Sequence, residues 1–299
     1  MDQSRYETMM PLGIILSVFC QTLCGFASDS TTITPNQNTV TVQDKPLTQT
    51  AAQAKSLRLI TGHTAATLPK GSVEIAIQHR FGELNSGAYN LFGLDNFNSM
   101  RIGVDAGITD RLTIGGGRSS NRKTYNAYAK YRLLGLPEGD FNITYVSDIA
   151  IDARLRSDWN VESLRNIHRL FYTHQLIASW QITDNWVLAI APTLVHANLV
   201  SQANLSNDMP ILAWYVRKQI ISKLALTAEG SALIQSLNSV MPKSNPTLGF
   251  GFEYFTPRHV FQINITNSRA LNEAYVLTDN PKSTQIGDFC LGFNLIRRW

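Results

Sequence analysis

Two features of the sequence could carry chemistry, a glycine-rich run and a set of six histidines. The run at residues 115–120 lacks the Gly-Lys-Ser/Thr ending of a phosphate-binding loop, and no helical pattern follows it, which argues against a nucleotide site. No Cys-x-x-Cys-His motif occurs, so covalently attached haem is excluded. His63 and His79 are the best metal-ligand candidates among the histidines, but we expect neither a metal nor any other cofactor.

Catalytic groups with the spacing of barrel-borne hydrolases do not occur in this sequence. A phospholipase of that kind would carry His-x-Ser on one strand face, and no histidine here has a serine two positions later. A membrane protease would need clustered Asp and His, and no Asp-x-His occurs. We therefore expect that the protein is not an enzyme.

The composition is unusual for a soluble protein. Of 299 residues, 44% are hydrophobic and 16% are charged, which is a low charged fraction for a solvated surface. Beyond the first thirty residues no apolar run is long enough for a transmembrane helix. The net charge is +4, but Lys and Arg are scattered singly, so we expect no binding of nucleic acid.

The N-terminus has the pattern of an export signal. Arg5 precedes an apolar core at residues 12–19 (LGIILSVF), and small residues lead up to Ala27. We predict a signal peptide at residues 1–27, because the apolar core is too short for a membrane anchor. Its removal would leave Cys290 as the only cysteine, which cannot form an intrachain disulfide.

The two segments after the signal lack a regular period. Residues 28–56 are polar and rich in threonine, and we predict a disordered periplasmic leader. Residues 57–70 are more apolar and lead into the first strand. They are either a plug that folds back into a barrel lumen or a periplasmic segment.

From residue 71 onward, apolar and polar residues alternate, which is the pattern of strands with two unlike faces. Val73, Ile75 and Ile77, for example, alternate with Glu74 and Ala76. The predicted strands are 71–81, 99–108, 112–119, 123–134, 140–151, 167–182, 186–197, 211–221, 224–234, 247–255, 259–267 and 285–299. An even set of about twelve predicts a closed, antiparallel, up-and-down transmembrane β-barrel, an all-β fold.

The connections between the strands alternate in length. Short polar turns follow residues 108, 134, 182, 221 and 255, whereas most of the remaining linkers are longer. Bacterial outer-membrane barrels have short periplasmic turns and long extracellular loops. The pattern therefore predicts both the orientation of residues 57–299 and a location in the bacterial outer membrane.

Six charged residues fall on the polar register of their strands, where a lumen would accommodate them. A Lys or Arg at mid-membrane on the lipid face would cost about 2–4 kcal/mol. The candidate pore-lining residues are Arg101, Asp105, Lys130, Arg132, Glu229 and Glu253. The candidate residues of an aromatic belt at the membrane interface are Trp180, Trp186 and Trp299.

The last strand ends in an aromatic residue after a series of alternating apolar residues. Phe289, Leu291, Phe293 and Leu295 alternate with polar or small residues before Trp299. Such strands resemble the C-terminal signal that barrel-assembly machinery reads. We expect this machinery and outer-membrane lipid as partners; the sequence leaves the oligomeric state open.

Several motifs together resemble one known family. They are Arg58-Leu59-Ile60, Gly62-His63, Thr67-Leu68-Pro69-Lys70-Gly71, His79-Arg80-Phe81-Gly82, Tyr89-Asn90-Leu91-Phe92-Gly93-Leu94-Asp95, Gly107-Ile108-Thr109-Asp110 and Gly117-Arg118-Ser119-Ser120. The family is an uncharacterised β-barrel family of Gram-negative bacteria, catalogued as a domain of unknown function (number 5777). The resemblance implies an outer-membrane barrel and brings no substrate or catalytic residues.

Three functions remain open at this point. We expect a passive or gated channel for small solutes, because polar residues line the predicted lumen. The alternative is a non-conducting barrel that serves as a docking or scaffold protein for periplasmic or surface partners. An outer-membrane enzyme is the third.

Overall fold

The computed structural model describes residues 56–135, 139–159, 164–200, 205–235 and 240–299. The predicted signal peptide and residues 28–55 of the predicted leader lie outside the described residues.

Within the described residues, twelve antiparallel strands close into one barrel, as predicted. Each strand pairs with its neighbours in sequence, and β1 pairs with β12 to complete the ring. The strands are β1 (Val73–Glu83), β2 (Phe97–Thr109), β3 (Leu112–Ser119), β4 (Tyr125–Leu134), β5 (Phe141–Ile151), β6 (Leu170–Thr183), β7 (Trp186–Ala197), β8 (Asp208–Ile221), β9 (Leu224–Leu233), β10 (Thr247–Phe255), β11 (His259–Thr266) and β12 (Cys290–Arg298).

Burial alternates along each strand because one face looks into the lumen and the other looks outward. On β5, Asn142, Thr144 and Val146 are buried inside, whereas Ile149 is exposed on the outer face. Closure gives every strand two partners, which matters in hydrocarbon because an unpaired backbone group there costs several kcal/mol. The outward apolar side chains then form the surface that we expect to face lipid.

Three strand starts differ from the prediction by three residues or more, and β8 begins at Asp208 rather than at residue 211. β6 begins at Leu170 rather than at residue 167, because Asn166–Arg169 forms a 3₁₀ turn that also contains His168. β12 begins at Cys290 rather than at residue 285, because Ile286–Asp288 forms another such turn.

The five short turns lie at one end of the barrel, and the remaining connections lie at the other. The link between β3 and β4 is the short member of the second group and contains the 3₁₀ turn Asn121–Lys123. Three further 3₁₀ turns are Leu84–Ser86, Ala88–Gly93 and Arg156–Asp158. Among the described residues, no helix is long and apolar enough to cross a membrane.

Residues 56–70, called the lumen segment below, lie inside the barrel. Their backbone bonds to side chains on opposite walls, including Arg80 of β1, Lys130 of β4 and Glu229 of β9. The segment turns back on itself as a tight hairpin, with Leu59 N donating to Gly62 O (3.1 Å) and Thr64 N to Leu57 O (2.9 Å). It enters from the end that carries the short turns, because it continues directly into β1.

A short helix enters the lumen from the opposite end. Helix α1 (Glu273–Thr278) belongs to the connection between β11 and β12, and all six of its residues are buried. The Asn272 side chain caps it by accepting from the Ala274 amide. Its apolar residues pack in one cluster with inward residues of the wall: Ala150, Phe171, Val195, Ala197, Met209 and Ile211. Packing against the wall therefore stabilises a helix too short to be stable alone.

Replacing an outward apolar residue by a charged one should destabilise the barrel. Ile263 lies mid-strand on β11 and is 60% exposed on the outer face. We expect Ile263→Arg to lower the free energy of unfolding in phospholipid bilayers by about 2–4 kcal/mol, because the charge must enter hydrocarbon. Denaturant titration of refolded protein measures this, with Ile263→Leu as the control. Equal stability of the two variants would contradict a lipid-facing position.

Candidate functional site

The structure places the six predicted pore-lining residues on the inward register. Arg101, Asp105, Lys130, Arg132 and Glu253 are buried, and Glu229 is half-buried beside an internal cavity. Their role in lining a conducting pore stays a prediction.

The three predicted belt residues face outward at the end with the short turns. Trp180 precedes the β6–β7 turn, Trp186 follows it, and Trp299 ends the chain beside Val73. The ammonium of Lys218 lies 4.7 Å from the Trp186 ring centroid. This pairing of a cation and an aromatic ring is typical of membrane interfaces, and contact with lipid stays a prediction.

The histidines singled out in the sequence lie in different environments. His63 lies within the lumen segment, whereas His79 lies on the outer face of β1 and stacks on Phe293 (5.3 Å between centroids). Across the ranges that the structure describes, no three His, Cys, Asp or Glu side chains come together as a metal site would require.

Cationic side chains of the wall bind carbonyl oxygens of the lumen segment. Lys130 Nζ donates to Leu57 O and to Thr64 O, both at 3.0 Å. Arg80 Nη2 donates to Ile60 O at 2.8 Å. Arg80 was missed as a site residue, although it shares the inward register of β1 with the buried Gln78. The alternation along β1 could have identified it.

Neutral donors bind further carbonyls of the lumen segment. Asn294 Nδ2 donates to the carbonyls of Leu59 and Ile60, both at 3.0 Å. Thr144 Oγ1 donates to Ala65 O at 2.7 Å. Because these wall residues bind main-chain atoms, they constrain the path of the segment.

The Glu229 carboxylate binds the tip of the hairpin from the other wall. It accepts from the amides of Ile60 (3.1 Å), Thr61 (2.8 Å) and Gly62 (3.2 and 3.3 Å). Successive amides that point at one anion form a strong, charge-assisted site. Glu229 therefore fixes the tip of the lumen segment.

An ion pair joins the lumen segment to helix α1. Arg58 Nη1 lies 2.7 Å from Glu273 Oε2, and both side chains are buried. His63 Nε2 lies 3.3 Å from the same carboxylate oxygen and 2.9 Å from Arg58 Nη2. The segment from one end of the barrel and the helix from the other are thus linked directly.

The remaining acidic groups of the wall have partners on the wall itself. Glu253 pairs with Arg217 (2.8 Å), and Glu74 pairs with Arg298 (2.7 Å). Asp105 accepts from the Tyr128 hydroxyl (2.6 Å), and Asp148 accepts from the Asn126 amide (2.6 Å). These acids do not depend on the lumen segment.

The space left between the two inserted elements is small. A cavity of about 40 Å³ is bordered by His63, Gln175, Glu229 and Glu273. A volume of this size holds no more than a few water molecules. In the described state the two inserted elements occupy this part of the lumen.

Comparison with known proteins identifies the family. Residues 55–299 match the model of a family described as a membrane bound beta barrel domain (DUF5777). The chain belongs to this family. Membership agrees with the closed barrel and its outward apolar face, and the protein is located in the bacterial outer membrane.

Solved structures with a similar barrel are outer-membrane channels. The KdgM porin shares 7% identity with a TM-score of 0.45, covering 76% of this chain and 98% of that one. The NanC porin shares 10% sequence identity with a TM-score of 0.45, and the match covers 75% of this chain and 97% of that one. The COG4313 outer membrane channel from Pseudomonas putida F1 shares 12% sequence identity with a TM-score of 0.42, and the match covers 79% of this chain and 98% of that one. Similarity this weak carries no information about substrates. No functionally curated protein matched the sequence.

Removing the Glu229 carboxylate should loosen the lumen segment. Glu229→Ala leaves three buried amides without an acceptor, which costs about 3 kcal/mol or more at roughly 1–3 kcal/mol each. We expect the amides of residues 60–62 to exchange hydrogen about 100-fold faster, as measured by mass spectrometry. Glu74→Ala removes an equivalent buried carboxylate that binds Arg298 instead, and should leave that exchange unchanged. Equal effects of the two variants would show that Glu229 does not hold the tip.

The lumen segment should dock less tightly in acid. Burial lowers the pKa of His63 well below its usual value, and the nearby cations Arg58, Lys130 and Arg101 lower it further. His63 thus stays neutral when docked, although Glu273 also faces it, but it takes up a proton near pH 6.5 when released. The ratio of released to docked segment therefore rises as the pH falls below about 6.5, by at most about tenfold per pH unit.

Hydrogen exchange of residues 57–68 at pH 7.5 and 5.5, corrected for intrinsic rates, tests this pH dependence. We expect hydrogen exchange to be faster at pH 5.5 than at pH 7.5 in the wild type. In His63→Gln, which carries an amide in place of the imidazole, we expect this difference to disappear. An identical acceleration in both proteins would assign the effect to another group.

Proposed function

We propose that the protein is a gated channel for small polar solutes, closed in the described state by its own lumen segment. The observation that supports this most directly is the way buried wall side chains bind the backbone of a segment that is joined to the barrel at its β1 end. A segment held in this manner can leave without disrupting any pairing between strands.

The nature of the contacts favours a removable segment over a permanent core. A hydrogen bond contributes only about 0.5–1.5 kcal/mol net, because water replaces the lost partner. When the segment leaves and water enters, Lys130 and Glu229 exchange peptide partners for water. Apolar side chains of the segment are buried as well, and Leu59 and Ala65 pack against inward residues of β4–β8.

The connection to helix α1 supports control from the cell surface. The helix belongs to an extracellular connection, and Glu273 binds Arg58 of the lumen segment. Displacement of that connection by a surface ligand would remove the acceptor of a buried guanidinium. The segment would then be held less tightly.

A non-conducting docking barrel is the second candidate, because one extracellular loop exposes apolar side chains. Tyr89 is 96% exposed, and Leu91 and Phe92 are each more than half exposed. Both Leu91 and Phe92 have positive φ angles, a conformation that costs energy for bulky residues. Exposed apolar residues on a strained loop are typical of interaction surfaces.

Planar-bilayer recordings of the full chain test the gated channel. The wild type should conduct rarely. The charge-neutral double variant Asn294→Leu/Thr144→Val should conduct at least tenfold more often, since it removes donors to three carbonyls at about 1 kcal/mol or more each. Phe252→Leu, on the outer face of β10, is the control and should behave as the wild type.

A barrel lacking residues 28–70 provides a second opened form. Steady conductance of this form would support the gate. If neither the double variant nor the deletion conducts after refolding is verified by circular dichroism, the channel is refuted in favour of the docking barrel.

A further inference from the structure

We infer that the solutes of this channel are small oxyanions, which bind Arg80, Lys130 and Arg132 after the lumen segment has left. This inference rests on the proposed gating function. It adds the chemical class of the solute and the residues that bind it.

These three cations have no acidic partner. In the part of the chain that the structure describes, no carboxylate lies within ion-pair distance of any of them. A buried cation without a counter-charge is costly, so the oxygens that surround it must compensate. The residues therefore differ from Arg217, which has Glu253 as a permanent partner.

Oxygen atoms of the lumen segment take the place of anionic oxygens. Arg80 binds Ile60 O and Thr61 Oγ1, and Lys130 binds two carbonyls. Arg132 donates to Thr67 Oγ1. When the segment leaves, these donors lose uncharged oxygens and can accept a carboxylate or phosphate, the ligands that Arg and Lys bind best.

Four acids of the wall do not depend on the lumen segment for their partners. Glu74, Glu253, Asp105 and Asp148 keep their own partners when the segment leaves. Glu229 on β9 and Glu273 on helix α1 also lose their partners, so two carboxylates are set free beside three cations on β1 and β4. Among the groups that lose their partners when the segment leaves, cations thus outnumber carboxylates by three to two.

The positions of the cations favour passage of an anion. Arg132 lies near the periplasmic end of β4, Lys130 lies one inward position further, and Arg80 lies toward the extracellular end of β1. An anion can move from one cation to the next, which allows binding to be favourable and release to remain fast.

Reversal potentials in a potassium chloride gradient test the charge preference. We use the full-length double variant Asn294→Leu/Thr144→Val, and the deletion of residues 28–70 if the double variant stays closed. We expect chloride to be more permeant than potassium. The reversal potential does not depend on how many channels are open, so looser docking alone does not move it.

Matched neutral substitutions identify the responsible residues. Lys130→Gln in the opened form should lower the chloride-to-potassium permeability ratio by about threefold. This is the effect expected for the loss of one charge about 6 Å from the ion path in water that contains salt. Arg118→Gln removes a cation that points outward from β3 and should leave the ratio unchanged. A ratio that favours potassium, or one that responds equally to both substitutions, overturns the inference.

Direct binding separates this inference from the gating proposal. Calorimetry on the opened barrel in detergent uses citrate, inorganic phosphate and glucose as probes. Binding of citrate or phosphate, but not of glucose, with at least a tenfold loss in Lys130→Gln, supports the oxyanion site even if no variant conducts. Comparison of citrate with phosphate distinguishes a carboxylate preference from a phosphate preference. Absence of binding by both anions overturns the site, whatever the conductance shows.

Discussion

The structure depends on one constraint: charged side chains inside the barrel must have polar partners where little water remains. Arg80 and Lys130 are fully buried, and leaving such a cation without acceptors would cost several kcal/mol. The lumen segment supplies these acceptors from its backbone. In return, the wall satisfies backbone groups of the segment that its short hairpin leaves unpaired. Each component therefore makes burial of the other possible.

The same constraint links the two ends of the barrel. Arg58 is buried within the segment, and its counter-charge is Glu273 on helix α1, which enters from the opposite end. Neither charge can stay buried if the other leaves, because a buried pair that loses one member is strongly destabilised. The segment and the helix are therefore expected to dock together. Their docking is more cooperative than two separate insertions would be.

The sequence was sufficient to predict the barrel, but it indicated a lumen plug at residues 57–70 only as one of two alternatives and did not predict the contacts that hold it. Alternation along a strand depends only on local residue type, so the sequence alone predicted that Lys130 and Asp105 face inward. The starts of β6 and β12 were misjudged because the turns before them, which contain Ile167 and Ile286, also have apolar residues. The contacts of the lumen segment join residues such as Leu59 and Asn294, which are 235 positions apart, and no local pattern encodes them. Helix α1 is only six residues long, too short for a helical period to be visible.

The chemistry of the contacts distinguishes a gate from a core. Apolar side chains that leave a core expose surface to water, and the free energy lost grows with the area exposed. Backbone carbonyls bound by Lys130 and Asn294 have a different alternative, because water or a solute oxygen can replace them with little net change. The more a lumen segment is bound through such contacts, the closer its docked state lies in free energy to a lumen that binds water and solute. A modest input, such as a ligand on the α1 connection, is then enough to change the populated state.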